Sequence, residues 1–377
     1  MPASPIRKLV PYAIAAKAKG TKVYHLNIGQ PDIETPAAAL NAIHNLDHKV
    51  LEYSHSAGFE SYRRKLVLSY QKQGIPVLTE DIIITTGGSE ALIFGLMTAC
   101  NPGDEIIIPE PFYANYNGFA VMAGLKVVPV TSHIENGFAL PPIEAIEAKI
   151  TPRTKAIMPV HCGQVVSDMD AIVAIAKKHG LAIVEDCAHS QGKEWGGQGV
   201  GLIGDFGSFS HQSSKILTAG EGGTLLTKDA TLARRAHSLI DCGRAKDDAG
   251  KEFTFGANFR LGELHAALLN TQMDRFEAQR AEREANGRYM EEQLAKVKGV
   301  RALKVFDRVT RLSFYRFIIA IDPNAYGNVG NAAVWPEFAA HEVEQTQGRV
   351  AGVRHGKQRS IRTGIEAHPA IDQEGHG

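Results

Sequence analysis

The stretch "DIIITTGGSEALIFGLMTA", residues 81–99, sets the fold that the sequence predicts. Three consecutive isoleucines are typical of a buried strand, two glycines form a turn, and the following apolar residues recur at helical spacing. Further apolar runs continue the series as strands: "DEIIIPEP" (104–111), "LKVVPV" (125–130), "TKAIMPVH" (154–161) and "LAIVEDCA" (181–188). Strands that alternate with helices predict an α/β fold, in which helices cover both faces of a mostly parallel sheet.

Two longer stretches predict helices, and the end of the chain differs from both. "MDAIVAIAKKHG" ends in Gly180, a glycine at a helix C-cap, and residues 263–298 form a long charged helix leading toward a smaller domain. From about Asn331 the periodicities fade, and the composition is typical of a poorly ordered segment. We predict four parts: an N-terminal arm with a small-domain segment (1–45), a large domain (46–285), a partial C-terminal small domain (286–330) and an atypical tail (331–377).

The composition is that of an ordinary globular protein and excludes several classes of function. Lys plus Arg and Asp plus Glu each number 41, so no net charge draws the chain to nucleic acid or to a membrane surface. The four cysteines are widely spaced and lack a metal-ligand pattern, which predicts no metal site and a reducing, cytoplasmic setting. No run approaches the roughly 18 apolar residues of a membrane span, and residues 1–9 lack a signal-peptide core.

The stretch "GSFSHQSSKILTAGEGG", residues 207–223, holds one lysine, Lys215, among small hydroxyl and glycine residues. A lysine that forms an imine needs a pKa near neutrality and small neighbours that let a carbonyl compound approach. The hydroxyl of Ser210 would suit a phosphate. The alternative is a solvated surface loop, and this stretch alone does not separate the two.

A second stretch, "LAIVEDCAHSQG", places Asp186 at the end of a buried strand. A carboxylate there is costly unless it meets a cation, and a protonated pyridine nitrogen is such a partner. A carboxylate that keeps this nitrogen protonated makes pyridoxal 5'-phosphate (PLP) an electron sink. His189 could reach the ring hydroxyl or cover the ring face, although a satisfied core histidine is the alternative.

The glycine turn "TTGGSEAL" supplies a candidate phosphate site. Gly88, Ser89 and Glu90 begin a helix directly after a strand, and helix N-termini bind phosphate. The alternative is that Ser89 is a plain N-cap. The "EPFYANY" segment after the next strand offers aromatic rings, Tyr113 among them, that could stack on a cofactor or belong to the core. Together with the lysine and the carboxylate, these residues predict a PLP site at the strand ends.

The first part of the chain resembles the N-terminal half of class I aminotransferases of the aspartate type. The resemblance covers residues 1–157 and lies in "PASPIRKLVPYA", "YHLNIGQPD", "EYSHSAGFESYRRKL" and "TTGGSEALIFGL". It implies that Gly88 and Ser89 bind the cofactor phosphate and that Tyr113 stacks on the cofactor ring. It also implies that Tyr53 reaches a phosphate across a dimer.

The following part resembles the DegT/DnrJ/EryC1/StrS sugar aminotransferases, and within them the scyllo-inosose and aminohydroxybenzoate-synthase branch. This resemblance covers residues 150–329 and lies in "MPVHCGQVVSDMDAI", "VEDCAHSQG", "FGSFSHQSSKILTAGEGG" and "GANFRLGELHAALL". It implies Lys215 as the Schiff-base lysine, Asp186 as the pyridine-nitrogen partner, His189 near the ring hydroxyl and Ser210 on the phosphate. Both families are fold type I PLP enzymes.

Asn258 is implied by the second resemblance to reach the phosphate of a neighbouring subunit, as Tyr53 is by the first. We therefore expect a homodimer with shared active sites. Because "ITPRTKAI" (150–157) fits both families, we hypothesise a crossover there, made by fusion or engineering. Two features depart from the class I pattern: "VHCGQ" replaces its "NPTG" motif, and no counterpart of its substrate-binding arginine follows residue 330.

The resemblance implies a PLP-dependent aminotransferase of amino-sugar biosynthesis, which moves an amino group from glutamate or glutamine to a keto-sugar or keto-cyclitol. This acceptor is favoured because Lys215 and Asp186 both lie in the DegT-like part. One alternative is an aspartate-type aminotransferase that uses 2-oxoglutarate. Another is an inactive PLP-binding or regulatory protein, since the C-terminal small domain is incomplete.

Overall fold

A computed structural model describes residues 10–23, 34–46, 49–50, 55–246, 250–251, 255–322 and 325. Tyr53 and the tail at 331–377 lie outside the described residues. The division of the chain into four parts stays a prediction.

The strands of the described residues form one large sheet and two small ones. They are β1 (Ile82–Thr85), β2 (Glu105–Glu110), β3 (Lys126–Thr131), β4 (Thr154–Ile157), β5 (Ala182–Asp186), β6 (Glu194–Trp195), β7 (Gln198–Gly199), β8 (Phe206–Ser210), β9 (Gly223–Leu226), β10 (Val300–Ala302), β11 (Val309–Arg311) and β12 (Ile319–Ile321). β10 pairs with β12, and β11 joins the β6–β7 hairpin.

Helices alternate with these strands along the chain. They are α1 (Val10–Ala18), α2 (Ala37–His44), α3 (Glu60–Lys72), α4 (Gly88–Ala99), α5 (Tyr116–Met122), α6 (Ile143–Glu147), α7 (Met169–His179), α8 (Ala230–Ile240) and α9 (Glu263–Leu294). As predicted, α7 ends at Gly180, whose φ of 65° lies in the left-handed region that glycine adopts without strain. No helix of the described residues is long and apolar enough to cross a membrane.

The large sheet has seven strands in the order β1-β9-β8-β5-β4-β2-β3. The five strands from β8 to β3 are parallel, whereas β9 runs antiparallel to both β1 and β8. The predicted mostly parallel sheet is therefore confirmed, with β8 and β9 as strands that the sequence series did not include. The loop that carries Lys215 connects β8 to β9, so it leaves the sheet at the end where β5 also ends.

Both faces of the sheet are buried, as the continuous apolar runs predict. Ile83 of β1 packs in one hydrophobic cluster, while Ile82 and Ile84 pack in the other. The isoleucines of β2 divide in the same way, because successive side chains of a strand point to opposite faces. The rigid sheet therefore holds the residues at its strand ends in fixed relative positions.

Candidate active site

Asp186 is the last residue of β5, and its buried carboxylate receives only neutral hydrogen-bond donors. The Tyr116 hydroxyl donates to Oδ2 at 2.6 Å, and the Ala188 N–H donates to Oδ1 at 2.9 Å. Burial, followed by the nearby Asp186 charge, raises the pKa of Tyr116 well above its usual value, so this hydroxyl stays a donor. Among the described residues, no cation lies within ion-pair distance of Asp186. The carboxylate can therefore accept a cationic donor from a ligand.

Tyr116→Phe is expected to lower kcat/KM by about tenfold or more, because a hydrogen bond to a charged group contributes about 1.5–3 kcal/mol. Steady-state kinetics of the purified variant and the wild type at the same pH measure this change in kcat/KM. Tyr70→Phe is the matched control, since its buried hydroxyl donates to Thr224 at 2.8 Å, away from Asp186. The control should lose stability without losing activity. Equal kcat/KM in the two variants would contradict a role of the Tyr116 hydroxyl at Asp186.

Lys215 lies half-buried in the loop between β8 and β9, beside an aromatic ring from the far end of the chain. Its Nζ atom is 4.7 Å from the centroid of the Tyr315 ring, and the Tyr315 hydroxyl lies 2.8 Å from Ser214 Oγ. Although burial raises the pKa of Tyr315, the Ser214 hydrogen bond and the charges of Lys215 and Arg316 bring it below its usual value. Tyr315 therefore limits the positions that the lysine can adopt.

His189 shares this corner of the site. Its ring centroid lies 4.4 Å from that of Tyr315, and its Nδ1 atom lies 3.8 Å from Cys162 Sγ. Burial, followed by the positive charges of Lys215, Lys193 and Arg316, lowers the pKa of His189 to about 2. The imidazole is therefore neutral at physiological pH, next to the lysine rather than packed away in the core.

The predicted phosphate turn meets the end of β8. A Cβ atom at Gly88 would lie 2.6 Å from Ser210 Cβ, so only glycine permits this approach. Ser89 is exposed in the first turn of α4, and Gly87, not Ser89, is the N-cap residue. The N-cap alternative for Ser89 is therefore wrong. Gly88, Ser89 and Ser210 lie at one place, where a phosphate would meet two hydroxyls and a helix N-terminus.

Glu90 and Tyr113 are placed differently from the other predicted site residues. The Glu90 carboxylate accepts hydrogen bonds from the Thr86 N–H at 2.6 Å and from the Thr86 hydroxyl at 3.0 Å, which closes the turn before α4. Tyr113 is 56% exposed, and its ring meets that of Tyr116 edge-on at 5.6 Å. Its face is therefore open to a ligand, and its stacking role stays a prediction.

Asn258 lies on a separate patch. It is exposed and forms an isolated bridge with Asp241, whose carboxylate accepts hydrogen bonds from Ser56 and Arg260. Asn258 thus lies beside Asp241, which binds Ser56, whereas Tyr53, the other residue predicted to act across a subunit boundary, lies outside the described residues. The role of both residues toward a neighbouring subunit stays a prediction.

The Tyr315 ring brings Lys215 and the segment after Asp186 into one site, because it lies 4.7 Å from Lys215 Nζ and 4.4 Å from the His189 ring, whose Nδ1 atom is 3.8 Å from Cys162 Sγ. Cys162 is exposed at the surface of this site, yet the surrounding protein desolvates its thiol and raises its pKa. The charges of Lys193, Arg316 and Lys215 lower this pKa, whereas that of Asp186 raises it further. The carboxylate and the lysine, which β6, β7 and β8 separate along the chain, therefore both act on the same thiol.

Three groups of the site were not predicted from the sequence: the Tyr116 hydroxyl, Tyr315 and Cys162. Tyr116 stands in the aromatic segment considered for stacking, but its hydroxyl donates to Asp186 instead. Tyr315 belongs to the predicted partial small domain, and its contact with Lys215 spans 100 positions of sequence. For Cys162, the signal in the sequence was "VHCGQ", which replaces the "NPTG" motif of class I enzymes.

His161, Glu185 and Cys187 form a buried group whose ligand atoms lie within 4.8 Å of one another. Glu185 already accepts hydrogen bonds from His161 and from the backbone N–H groups of Gly201, Ile203 and Gly204. Because these donors occupy both carboxylate oxygens, the group is a structural network behind the site.

Residues 77–346 match the sequence profile of the DegT/DnrJ/EryC1/StrS aminotransferase family. The chain belongs to this family. The match runs across residues 150–157 and includes the "TTGGSEALIFGL" stretch that resembled class I enzymes. The comparison supports neither the crossover nor the class I assignment of the first part. A strand, a glycine turn and a helix make a phosphate site in either family, so this motif does not separate them.

Among the similar proteins, the L-glutamine:2-deoxy-scyllo-inosose aminotransferase of Micromonospora echinospora is 35% identical over 269 residues, covering 68% of this chain and 63% of that protein. The L-glutamine:scyllo-inosose aminotransferase of Streptomyces griseus is 32% identical over 277 residues, covering 70% and 63%. The chain thus spans less than two thirds of the length of these relatives. The solved structure of S. venezuelae DesV with a ketimine intermediate is 25% identical with a TM-score of 0.64, covering 84% of this chain and 78% of that one. The predicted aminotransferase fold is confirmed.

Proposed function

We propose that this protein is a PLP-dependent aminotransferase that transfers an amino group from glutamine or glutamate to a keto-cyclitol. The observation that carries the proposal is a site in which the buried Asp186 carboxylate receives only neutral donors, while Lys215 and His189 meet at the Tyr315 ring. Family membership supports the reaction type. The names of the relatives, which are L-glutamine:scyllo-inosose aminotransferases, support the donor and the acceptor.

The described residues fit the cofactor at three points. Asp186 is a buried carboxylate with neutral donors only, which suits a protonated ring nitrogen. Gly88 and Ser210 approach so closely that a side chain at Gly88 would fill the phosphate cradle. Lys215 is half-buried beside Tyr315, where it can reach a carbonyl group. Bound PLP supplies an electron-accepting ring that stabilises negative charge on the substrate carbon.

The chain's own residues would hold the cofactor and move the proton. Lys215 would hold PLP covalently, and its free amino group would transfer a proton at the substrate carbon. Asp186 would keep the proton on the ring nitrogen. His189, being neutral, can form a hydrogen bond with the ring hydroxyl without repelling Lys215.

The proposal includes a homodimer in a cytoplasmic setting. Tyr53 and Asn258 would complete the phosphate site of the neighbouring subunit, so a monomer would have incomplete sites. The described cysteines are all free, which suits a reducing compartment. Elution of the purified protein as a dimer in size-exclusion chromatography is expected.

Turnover of purified, PLP-loaded protein with glutamine and scyllo-inosose tests the proposed function. We expect amino-cyclitol formation with this pair and none with aspartate and 2-oxoglutarate. The reverse result would assign an aspartate-type enzyme and overturn the proposal. Cofactor binding without turnover of either pair would favour the inactive PLP-binding alternative.

A further inference from the structure

Lys193 is a fully buried lysine without an acidic partner. Its side chain is 1% exposed, and its ammonium donates to the Val165 carbonyl at 3.3 Å. Within the part of the chain that the structure describes, no carboxylate lies within ion-pair distance of Nζ. A buried charge without a counter-ion destabilises a fold, so its presence requires an explanation.

The position of Lys193 connects two walls of the candidate site. Its backbone belongs to the segment that follows β5 and carries His189, and its N–H donates to the Ser190 carbonyl at 3.1 Å. Its side chain reaches the turn at 162–165, which the Val165 N–H closes onto the Cys162 carbonyl at 2.9 Å. The same turn contacts His189 through the Gly163 N–H, at 3.5 Å from Nδ1. Lys193 therefore fastens the turn to the segment that holds His189.

The groups that face Lys193 do not neutralise its charge. They are the thiols of Cys162 and Cys187 and the imidazole of His189. Burial raises the pKa of both thiols, and burial with the positive charges of Lys215, Lys193 and Arg316 lowers the pKa of His189, so all three groups are neutral. Burial lowers the pKa of Lys193 itself to about 8, against the opposing effect of the two thiols.

We propose that Lys193 is a positioning residue for the anionic cofactor: it fixes the 162–165 turn against His189, and the negative charge of bound PLP compensates its unpaired ammonium. This inference rests on the proposed function. It explains why a buried charge that destabilises the apoprotein lies beside the residues that would bind the cofactor ring. The lysine itself is too buried to form a bond with the cofactor.

Lys193→Met tests the proposal, because methionine has a similar length and no charge. PLP affinity is measured by titrating the apoprotein at pH 7.5, and melting temperature is measured with and without PLP. We expect the variant to bind PLP about tenfold more weakly, which corresponds to about 1.4 kcal/mol, while its apoprotein melts at or above the wild-type temperature. The control is Lys228→Met, an exposed lysine that should change neither quantity. Wild-type PLP affinity in Lys193→Met would overturn the proposal.

A measurement on the wild type alone guards against a variant that does not fold. Because the folded pKa of Lys193 is about 8 and that of an unfolded lysine about 10.4, the folded apoprotein binds fewer protons between these values. The free-energy penalty of the buried charge is therefore full below pH 8 and decreases as pH rises toward 10.4. We expect the stability of the apoprotein to rise over this pH range, and we expect no such rise once PLP is bound. Equal pH dependence with and without PLP would overturn the proposal.

The two proposals fail in distinguishable ways. If the wild-type protein does not bind PLP at all, the proposed function fails and this inference fails with it. If the wild type binds PLP while Lys193→Met keeps the wild-type affinity, or while the pH dependence of stability is the same with and without PLP, only the role of Lys193 fails. Lys193→Gln provides a second uncharged variant, and a matching loss of affinity there supports an electrostatic role.

Discussion

Lys215→Ala is expected to abolish the absorbance band near 420 nm that we expect of PLP-loaded wild-type protein, and to reduce turnover by about 10⁴-fold. The variant removes both the group that holds the cofactor covalently and the group that moves the proton. The residual rate would come from the remaining binding interactions. Absorbance spectra and steady-state kinetics of the purified variant, with excess PLP, measure the two effects separately.

Two controls make the Lys215 result specific. Lys228→Ala changes an exposed lysine just after β9 and should keep both the absorbance band and the turnover rate. Lys215→Arg keeps a positive charge beside Tyr315 but cannot form the covalent link, so it should resemble the alanine variant. If the band persists in Lys215→Ala, another lysine holds the cofactor, and the assignment of Lys215 is wrong.

The sheet was predictable from the sequence because its strands are buried on both faces. Such strands are short apolar runs, and those around Ile83, Ile107 and Ile183 form β1, β2 and β5 as predicted. Gly180 was predictable because a left-handed residue at a helix end favours glycine. β8 and β9 were missed because they lie at the two ends of the serine- and glycine-rich stretch 207–223 and contain no continuous apolar run of strand length.

The candidate site was predictable only where its chemistry requires an unusual local sequence. Lys215 and Asp186 stand in unusual surroundings for charged residues, and Gly88 marks a close approach of two backbones. Tyr315 and Lys193 carry no such mark, because their roles arise from contacts between distant segments. The mistaken class I assignment has the same origin, since a local phosphate turn does not report the family of the whole chain.

Asp186→Asn is expected to leave PLP binding in place but to lower turnover by about 10²- to 10⁴-fold, which corresponds to roughly 3–5 kcal/mol of activation free energy. Asparagine has the shape of aspartate, and its side-chain oxygen can still accept the hydrogen bond from Tyr116 or Ala188. It lacks the negative charge that keeps a ring nitrogen protonated. Cofactor titration and kcat, measured on the same preparation, separate binding from chemistry.

Glu185→Gln is the matched control, because Glu185 precedes Asp186 on β5 and its side chain points to the opposite face of the sheet. Its carboxylate accepts hydrogen bonds from His161 and from backbone N–H groups at Gly201, Ile203 and Gly204. The control should therefore lower the melting temperature while the folded fraction keeps its kcat. If Asp186→Asn instead lowers the melting temperature and keeps its kcat, Asp186 is a structural carboxylate. Another residue must then keep the ring nitrogen protonated.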